Sequence, residues 1–316
     1  MKTALLFPGQ ASQYVGMGAD LYAEYPPARE MYGRANEILG VDIAALSFHG
    51  PSDALVRTAN TQPAIFLHSC VMHRLAADAG LVFDFAAGHS LGEYSALVAS
   101  GVLTFHDGLV AVRERARFMQ DACEAHPGTM AAVLGLDFAT VDDVCKRAMT
   151  VGTVVAANYN GERQIVISGD LPGVEAASAL ASEAGAKRVI RLAVGGAFHS
   201  PLMEPSPRML APVLERLQFA PAMRPVVLNV SAEPTTDPAA IKPALIQQLT
   251  APVLWYPTLR ALSSAGVTRI IEIGPKTVLL GLAKPLFREA ELLSLDTVVD
   301  LKSFAENHET VPARGD

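Results

Sequence analysis

The sequence predicts an α/β protein whose mostly parallel sheet is interrupted by a small inserted subdomain of the ferredoxin-like kind. In the first and last parts of the chain, short apolar strands alternate with amphipathic helices, which is typical of a parallel sheet covered on both faces. In the middle, the order changes to β-α-β-β-α-β, the ferredoxin-like pattern. We therefore expect a discontinuous α/β domain over residues 1–126 and 198–302, with the inserted subdomain over 127–197.

The first part of the chain shows the alternation of strands and helices most clearly. The apolar run Thr3–Phe7 predicts a short buried strand, which Pro8 and Gly9 end. Hydrophobic periodicity then predicts a helix over 62–79, a strand over Leu81–Ala87, a helix over Ser90–Ser100 and a long amphipathic helix over Asp107–Ala125.

The inserted segment contains a hairpin signal. The predicted elements are strands over Thr129–Leu136, Val154–Tyr159, Arg163–Ser168 and Lys187–Val194, with helices over 139–149 and 171–184. Asn160-Gly161 lies between the second and third of these strands. We expect a tight turn there, because both central residues of such a turn need a positive φ, which Asn and Gly tolerate best.

After the insert, the alternation of helices and strands resumes. Ser200 and Pro201 predict the start of a helix, with Ser as N-cap and Pro at the first helical position. The later elements are a strand over Val226–Val230, helices over 239–249 and 253–265, and a strand over Thr268–Ile273. The polar residues after Leu301 predict a frayed tail, which we assign to residues 303–316.

The composition excludes several classes of function. Half of the 316 residues are hydrophobic and 18% are charged, so the chain can bury a sizeable core and disorder is disfavoured. The formal net charge is −7 and no basic run is visible. This balance argues against nucleic-acid binding and against binding to a membrane surface.

The cysteines and the first residues bear on the compartment. The three cysteines, Cys70, Cys123 and Cys145, form no CxxC pair and no disulfide framework, which favours a reducing compartment. Only four apolar residues precede Pro8, too few for a signal peptide, and no apolar run is long enough to span a membrane. We therefore expect a cytoplasmic protein.

The sharpest local signal is a G-x-S-x-G motif around Ser90. Gly88-His89-Ser90-Leu91-Gly92 follows an apolar strand and precedes a helix, which is the setting of a nucleophile elbow. The glycines allow a tight turn that lifts the Ser90 hydroxyl above the sheet, and the next backbone amide points into the same space and can hold an oxyanion. The alternative is an ordinary glycine-rich turn with a capping serine.

A serine nucleophile needs a base, and His199 is the best placed of the eight histidines. It follows a predicted strand and immediately precedes a helix N-cap, where ligands and catalysts of open α/β sheets gather. His68 and His73 lie in a predicted buried helix, and their spacing and the nearby Cys70 fit no zinc pattern, so no metal site is expected. From the residues alone, His199 is equally well interpreted as a loop histidine.

Arg115 is a cation on the wrong side of its helix. At about 100° per residue, it falls within the apolar arc of the predicted helix over Asp107–Ala125, whereas Arg113 and Arg117 lie on the polar arc. A buried guanidinium is costly unless an anion or several acceptors meet it. Two interpretations stay open: a structural ion pair or snorkelling side chain, and a site that binds a carboxylate bidentately.

Taken together, these motifs resemble the malonyl-CoA:acyl-carrier-protein transacylases, the acyltransferases of fatty-acid synthesis. The matching segments, in chain order, are Phe7-Pro8-Gly9-Gln10, Gln62-Pro63-Ala64, Gly88-His89-Ser90-Leu91-Gly92-Glu93, Arg115 with Phe118-Met119-Gln120, Gly128-Thr129-Met130-Ala131-Ala132-Val133, Gly196-Ala197-Phe198-His199-Ser200-Pro201-Leu202-Met203 and Glu272-Ile273-Gly274-Pro275. The resemblance implies a hydrolase-like α/β domain with a ferredoxin-like insert.

The resemblance also implies the roles of the catalytic residues. Ser90 would be the nucleophile and His199 the base, and Gln248 would position the histidine through a carbonyl rather than a carboxylate. The backbone amides of Gln10 and Leu91 would form the oxyanion hole. No metal or redox cofactor is implied.

The substrates and partners follow from the same resemblance. Arg115 would bind the malonyl carboxylate, and Phe198 resembles the malonyl-selective version of the family, because a bulky ring leaves little room for an α-methyl group. The acyl group would pass from malonyl-CoA to the phosphopantetheine thiol of an acyl carrier protein, and the enzyme would be a monomer. Carrier proteins of this kind are acidic, so we expect a local basic dock, with Arg113, Arg117, Lys187 and Arg188 as candidates.

Three alternatives remain at this point. A serine thioesterase or hydrolase would place its histidine late in the chain, after the acid, whereas about a third of this chain follows His199. A non-catalytic carrier-docking module would not need Ser90, His199 and Arg115. A free-standing acyltransferase that serves a polyketide synthase would carry the same residues.

Overall fold

The computed structural model describes residues 1–309, and within them two separate sheets carry the helices. The strands are β1 (Lys2–Phe7), β2 (Phe85–Gly88), β3 (Thr129–Leu134), β4 (Val154–Gly161), β5 (Gln164–Gly169), β6 (Arg188–Arg191), β7 (Val226–Val227), β8 (Pro234–Thr235), β9 (Val267–Ile273) and β10 (Glu291–Leu295). The α-helices are α1 (Ala19–Glu24), α2 (Pro26–Leu39), α3 (Ile43–His49), α4 (Ser52–Leu55), α5 (Thr58–Asp78), α6 (Gly92–Ala99), α7 (Phe105–Ala125), α8 (Phe138–Ala148), α9 (Leu171–Glu183), α10 (Pro205–Arg216), α11 (Pro238–Gln247), α12 (Trp255–Ser264), α13 (Val278–Ala283) and α14 (Val298–Glu309).

The large sheet is mostly parallel and is built from both ends of the chain. Its strand order is β10-β9-β1-β2-β7-β8, and every pair except β7–β8 is parallel. Alternate side chains of β1 enter different cores: Leu5 and Phe7 pack on one face of the sheet, and Ala4 and Leu6 on the other. A strand that is covered on both faces must be apolar throughout, which is why this run is continuous rather than alternating. The prediction of a mostly parallel α/β sheet is confirmed.

The small sheet is antiparallel, and the face that α8 and α9 leave uncovered packs against the large unit. Its strand order is β4-β5-β3-β6. One face buries Val133, Ile165 and Ile167 beneath α8 and α9, whereas Met130 and Val166 on the other face belong to the core of the large unit. Because successive side chains point to opposite faces of a strand, each strand contributes to both hydrophobic cores. The order β-α-β-β-α-β agrees with the prediction.

A pair of backbone hydrogen bonds ties the two units together beside the cleft. The Tyr159 amide donates to the Val253 carbonyl at 2.9 Å, and the Val253 amide donates to the Ala157 carbonyl at 2.9 Å. β4 thus continues its ladder onto a segment of the large unit. The small sheet is consequently held by more than the two chain crossings at its ends.

The predicted turn at Asn160-Gly161 is wrong, although the hairpin itself forms. β4 runs through Gly161, which pairs with Gln164, so Glu162 and Arg163 make the turn. Neither Asn160 nor Gly161 has a positive φ. The side chain of Asn160 instead accepts a hydrogen bond across the cleft, which favours an extended backbone at this position.

Other boundaries move for identifiable reasons. The strand predicted from Leu81 begins at Phe85, because the Leu81 amide closes the C-terminus of α5 by donating to the Ala76 carbonyl. Ser200 does cap a helical turn, but that turn is a short 3₁₀ segment, and the α-helix begins only at Pro205.

The expectation of a frayed tail from residue 303 is wrong over the described residues. Helix α14 continues through Glu309, because Leu301 and Phe304 are buried against the large core. Two apolar residues three positions apart share one face of a helix, and this face anchors α14. Residues 310–316 lie outside the described part of the chain. Across residues 1–309, no helix has the length and apolar character needed to cross a membrane.

Candidate active site

The Ser90 turn joins β2 to α6 with a strained backbone. Ser90 has a φ of 52°, in the left-handed region that non-glycine residues rarely adopt. A Cβ at Gly88 would collide with the backbone of Gly92, and a Cβ at Gly92 would collide with the Phe7 carbonyl of β1. The two glycines are therefore required by close approach, and the sharp turn places the Ser90 hydroxyl at the carboxyl end of the parallel sheet.

Asn229 holds this strained turn from outside. Its side-chain oxygen accepts from the Ser90 amide at 2.7 Å, and its side-chain nitrogen donates to the Gly88 carbonyl at 2.7 Å. One buried amide thus satisfies two backbone groups that the turn leaves open. Sequence reasoning missed Asn229; the available signal was a polar residue at the end of an apolar strand.

His199 lies directly over the serine. Its Nε2 is 2.8 Å from Ser90 Oγ, and its Nδ1 is 2.8 Å from the backbone carbonyl of Gln248. A carbonyl only accepts, so Nδ1 carries the proton and Nε2 is free to accept the serine proton. Burial, and then the positive charge of Arg115, lower the pKa of His199 to about 3. The ring is therefore neutral at pH 7 and suited to act as a base.

Arg115 reaches the same serine from α7. Thr104 caps this helix by accepting from the Asp107 amide, and the buried arc of the helix contains Arg115, as its periodicity predicted. The guanidinium is fully buried. It donates to Gln62 Oε1 at 2.7 Å and to Ser90 Oγ at 3.0 Å. Its Nε, also buried, has no hydrogen-bond partner within the described residues.

The Gln248 side chain completes the surroundings of the guanidinium. Its Oε1 accepts from Arg115 Nη2 at 2.8 Å. Its Nε2 donates to the Ser90 carbonyl at 3.0 Å and to Glu93 Oε2 at 2.6 Å. One residue therefore contacts the histidine through its backbone and the arginine, the serine and a buried glutamate through its side chain.

Two backbone amides beside the serine are unused. The N–H groups of Gln10 and Leu91 donate no hydrogen bond to other residues within 1–309, and Gln10 borders the cleft next to Ser90. Gln62 links this loop to the arginine, since its Nε2 lies 3.1 Å from Gln10 Oε1. Unsatisfied donors at such a position are what an oxyanion hole requires.

The serine opens into a cleft of about 300 Å³ between the two units. Apolar side chains from both units border it: Met119, Met130, Val166, Leu192 and Phe198. His89 also borders the cleft, but its Nε2 is 2.8 Å from Asn160 Oδ1 on β4, so its side chain connects the two units. The cleft is thus a mainly apolar pocket, and the buried Arg115 guanidinium lies behind Ser90, 3.0 Å from its hydroxyl.

The remaining candidates lie away from this cleft. His68 is buried and contacts Asp296 at 2.8 Å, and the ring of His73 packs between Phe7 and Phe83. All three cysteines are free and buried. Among the described residues, no cluster of His, Cys, Asp and Glu could hold a metal ion.

Two of the four basic candidates for a partner dock are already paired. Arg113 and Arg117 both contact the Glu114 carboxylate, at 2.9 and 2.7 Å. Arg188 is the first residue of β6, at the edge of the small sheet, and Lys187 immediately precedes it.

Comparisons with known proteins agree on one kind of protein. The family model described as "Acyl transferase domain" matches residues 4–310. The chain is 45% identical over 295 residues to a protein of Bacillus subtilis named malonyl CoA-acyl carrier protein transacylase, covering 93% of each chain. It is 42% identical over 307 residues to a Staphylococcus aureus protein of the same name, covering 97% of this chain and 99% of the relative.

Solved structures give the same result. An acyl carrier protein S-malonyltransferase of Vibrio cholerae superposes with a TM-score of 0.92 at 40% identity, covering 96% of this chain and 99% of that one. A malonyl-transacylase in complex with its type II PKS acyl-carrier protein superposes with a TM-score of 0.93 at 37% identity, covering 97% and 100%.

Proposed function

Since this chain belongs to the acyl transferase domain family, we propose that it is an [acyl-carrier-protein] S-malonyltransferase, which moves a malonyl group from malonyl-CoA to the phosphopantetheine thiol of an acyl carrier protein. One observation carries the choice of acyl group. Arg115 is a fully buried cation whose Nη2 lies 3.0 Å from the Ser90 hydroxyl. An acyl group on that serine would lie beside a guanidinium, which favours an acyl group that ends in a carboxylate.

The first half of the reaction acylates the serine. His199 takes the Ser90 proton on Nε2, the oxygen attacks the thioester carbonyl, and CoA leaves as its thiol with the proton returned by His199. The Gln248 carbonyl keeps the ring in the required tautomer, because it accepts only from a protonated Nδ1. The 2.8 Å distance between Nε2 and Oγ supports this step.

The substrate itself assists the base in this scheme. The charge of Arg115 contributes to the low pKa of His199, after burial. A malonyl carboxylate on the guanidinium neutralises that charge, so the histidine becomes a stronger base when the correct substrate is bound. The contact between the malonyl carboxylate and Arg115 would then both orient the substrate and make His199 a stronger base.

The tetrahedral oxyanion would be held by the Gln10 and Leu91 amides. Their unused N–H groups support this assignment. Removing one donor of such a pair costs about 3–4 kcal/mol of transition-state stabilisation in a comparable hydrolytic site. Asn229 and the two glycines of the turn would keep the Leu91 amide in position.

The second half of the reaction transfers the acyl group. The phosphopantetheine thiol of the carrier protein gives its proton to His199 and attacks the malonyl ester, and Ser90 leaves with that proton. The apolar side chains around the cleft would disfavour water as the competing nucleophile. Phe198, buried at the edge of the cleft, would limit branching at the α-carbon of the acyl group.

The cofactor requirement, the location and the oligomeric state complete the proposal. The chemistry uses no metal or redox cofactor, since serine, histidine and backbone amides suffice for acyl transfer. Three free, buried cysteines support a cytoplasmic location. We propose a monomer in solution, as the resemblance implied.

A second candidate shares the chemistry and differs in the carrier. The structural relative with a type II PKS acyl-carrier protein supports a free-standing acyltransferase that serves a polyketide synthase. Comparing transfer rates to fatty-acid and polyketide carrier proteins decides between the two.

Labelled malonyl-CoA with and without holo carrier protein tests the main proposal. We expect a stable malonate on Ser90 that is passed to the carrier thiol, and no adduct with Ser90→Ala. Rapid release of free malonate without transfer would indicate a thioesterase or hydrolase and overturn the proposal. Carrier binding without any adduct would indicate a docking module.

A further inference from the structure

Glu93 is a buried carboxyl group that the reaction does not use. It lies in the first turn of α6, three residues after the nucleophile, with 1% of its surface exposed. Its Oε2 accepts from Gln248 Nε2 at 2.6 Å and lies 3.4 Å from the Asn229 amide. Its Oε1 is buried without a partner among residues 1–309. A carboxyl group in these surroundings is costly unless a positive charge compensates it.

The compensating charge is Arg115, reached through one amide. The guanidinium donates to Gln248 Oε1, and Gln248 Nε2 donates to Glu93, so the amide dipole points its negative end at the cation and its positive end at the carboxylate. The amide orientation is fixed by chemistry, because a guanidinium has only donors and an ionised carboxylate only acceptors. In the described residues, the arginine makes no direct ion pair, which leaves Glu93 as its nearest counter-charge along the hydrogen-bond network.

Few other titratable groups face this carboxyl. Tyr94 is its neighbour on α6, and burial and, to a smaller extent, the Glu93 carboxyl raise the pKa of Tyr94. The residues of β1 from Ala4 to Phe7 and those of β2 are apolar. From α5, His68 faces Asp296 and His73 faces aromatic rings. Burial raises the pKa of Glu93 to about 7, against the lowering effects of the Gln248 and Asn229 hydrogen bonds and of Arg115. The group is therefore balanced between its two protonation states near neutral pH.

We propose that Glu93 is the resident counter-ion of Arg115, coupled to it through the Gln248 amide, and that it takes up a proton when the malonyl carboxylate docks on the guanidinium. This inference rests on the proposed malonyl transfer. Two carboxylates would otherwise share one buried cation, and the one that cannot leave is protonated. In sum, malonyl-CoA, the Ser90 hydroxyl, the Glu93 carboxylate and one solvent proton give malonyl-Ser90, CoA thiol and a Glu93 carboxylic acid. The proton on Glu93 comes from solvent, because acylation at pH 7 neither releases nor consumes one by itself.

Such a residue acts on substrate choice rather than on bond formation. Protonation removes the negative charge that would repel an incoming malonyl carboxylate, whereas an acetyl group leaves the Arg115–Glu93 pair intact. Glu93 is thus a positioning residue that tunes the acyl pocket through Gln248 and makes malonyl binding linked to pH.

Proton uptake during a single acylation tests the inference. Full-length enzyme is mixed with excess malonyl-CoA in weakly buffered solution at pH 7 with an indicator dye, and the malonyl-Ser90 adduct is counted by intact mass. We expect uptake of roughly half a proton per adduct in the wild type, since a group with a pKa of about 7 is half ionised at that pH. Acetylation by acetyl-CoA should cause no uptake. Glu93→Gln should form the malonyl adduct without uptake, and Glu272→Gln should keep the uptake.

Glu272 is a matched control because it is also fully buried with its pKa raised to about 7, yet its carboxylate caps α13 by accepting from the Leu279 and Leu280 amides. Adduct formation in the wild type without proton uptake would overturn the inference, as would equal uptake in Glu93→Gln. Failure to form any adduct would instead overturn the proposed function.

A second measurement covers the case in which Glu93→Gln does not fold. The infrared difference spectrum of the wild-type enzyme on malonylation should gain a protonated carboxyl band. ¹³C-labelled malonyl-CoA must leave this band unshifted, because it belongs to the protein. The ester carbonyl of malonyl-Ser90 absorbs in the same region but shifts with the label, so the absence of an unshifted band contradicts the proposal.

Discussion

Two buried histidines are each held on one ring nitrogen, but by partners of different charge. His199 has the backbone carbonyl of Gln248 at 2.8 Å, and His68 has the carboxylate of Asp296 at the same distance. A carbonyl fixes the tautomer without adding negative charge, so burial can keep the His199 ring neutral. The contact of His68 with Asp296 instead links α5 to the segment before α14.

The residues around the two histidines also differ. Around Asp296, the Tyr14 hydroxyl and the Lys276 amide also donate, which connects the N-terminal segment, α5 and the segment before α14. Although burial opposes it, the contact with His68 helps to hold the pKa of Asp296 below its usual value. Around His199, by contrast, the neighbours are the nucleophile and a cation. The comparison predicts a catalytic role for His199 and a structural role for His68.

The largest effect should come from removing the histidine of the cleft. His199→Ala should reduce malonyl transfer by about 10⁴-fold, because the serine loses its base. Initial rates of transfer to holo carrier protein measure this. The thermal unfolding temperature is the control, and it should stay close to that of the wild type because the variant remains folded. A variant that keeps more than a tenth of the activity contradicts the assigned role.

Removing the cation of the cleft should affect one substrate. Arg115→Ala should reduce kcat/KM for malonyl-CoA by about 10²–10³-fold, the cost of losing a buried charged partner of a carboxylate. Acetyl-CoA lacks the carboxylate, so its acylation should change far less. Equal losses for both thioesters, measured side by side, would show that Arg115 only supports the fold.

At His68, we expect a loss of stability without a loss of activity. His68→Ala should lower the free energy of unfolding by about 3 kcal/mol, because Asp296 loses a buried partner and a cavity is left. Transfer per folded molecule should be unchanged. Urea titration and active-site counting by malonyl adduct measure the two quantities, and a lost rate with unchanged stability would reverse the comparison.

The smallest effect concerns pH. Because the pKa of His199 is lowered to about 3, kcat/KM for malonyl-CoA should not fall between pH 7 and pH 5, where an ordinary histidine would be protonated. The contribution of His199 to the free energy of unfolding also depends on pH, and it decreases at low pH. The unfolded chain binds the proton first, so the contribution of the neutral ring is complete above about pH 6.5 and is lost as pH falls toward 3. A rate that halves near pH 6.5 would contradict this.

Much of the site could be predicted because its signals are local. The Ser90 turn is encoded in five consecutive residues, and the position of Arg115 follows from helical periodicity within α7. His199 stood out only as a histidine at the end of a strand. Its role, like those of Gln10, Leu91, Gln248 and Phe198, came from the resemblance and remains a prediction.

Other features could not be predicted because they depend on distant parts of the chain. Asn229 contacts the Ser90 turn across 139 residues, and the Gln248 side chain contacts Glu93 across 155. Asn160-Gly161 has the composition of a turn, yet the contact of Asn160 with His89 keeps that segment extended. Leu301 and Phe304 turn a polar tail into a helix by packing on a distant core.

The sequence by itself determined the β-α-β-β-α-β order of the insert, the tight turn at Ser90 and the cation within an apolar helical arc. Each of these follows from backbone sterics or hydrophobic periodicity over a short stretch. Only the tertiary structure decided which carbonyl meets His199, which way the Gln248 amide points and which carboxyl compensates Arg115. Those outcomes depend on burial and on donor–acceptor matching between segments that only folding brings together, and both change the energy of a charge far more than any local pattern does.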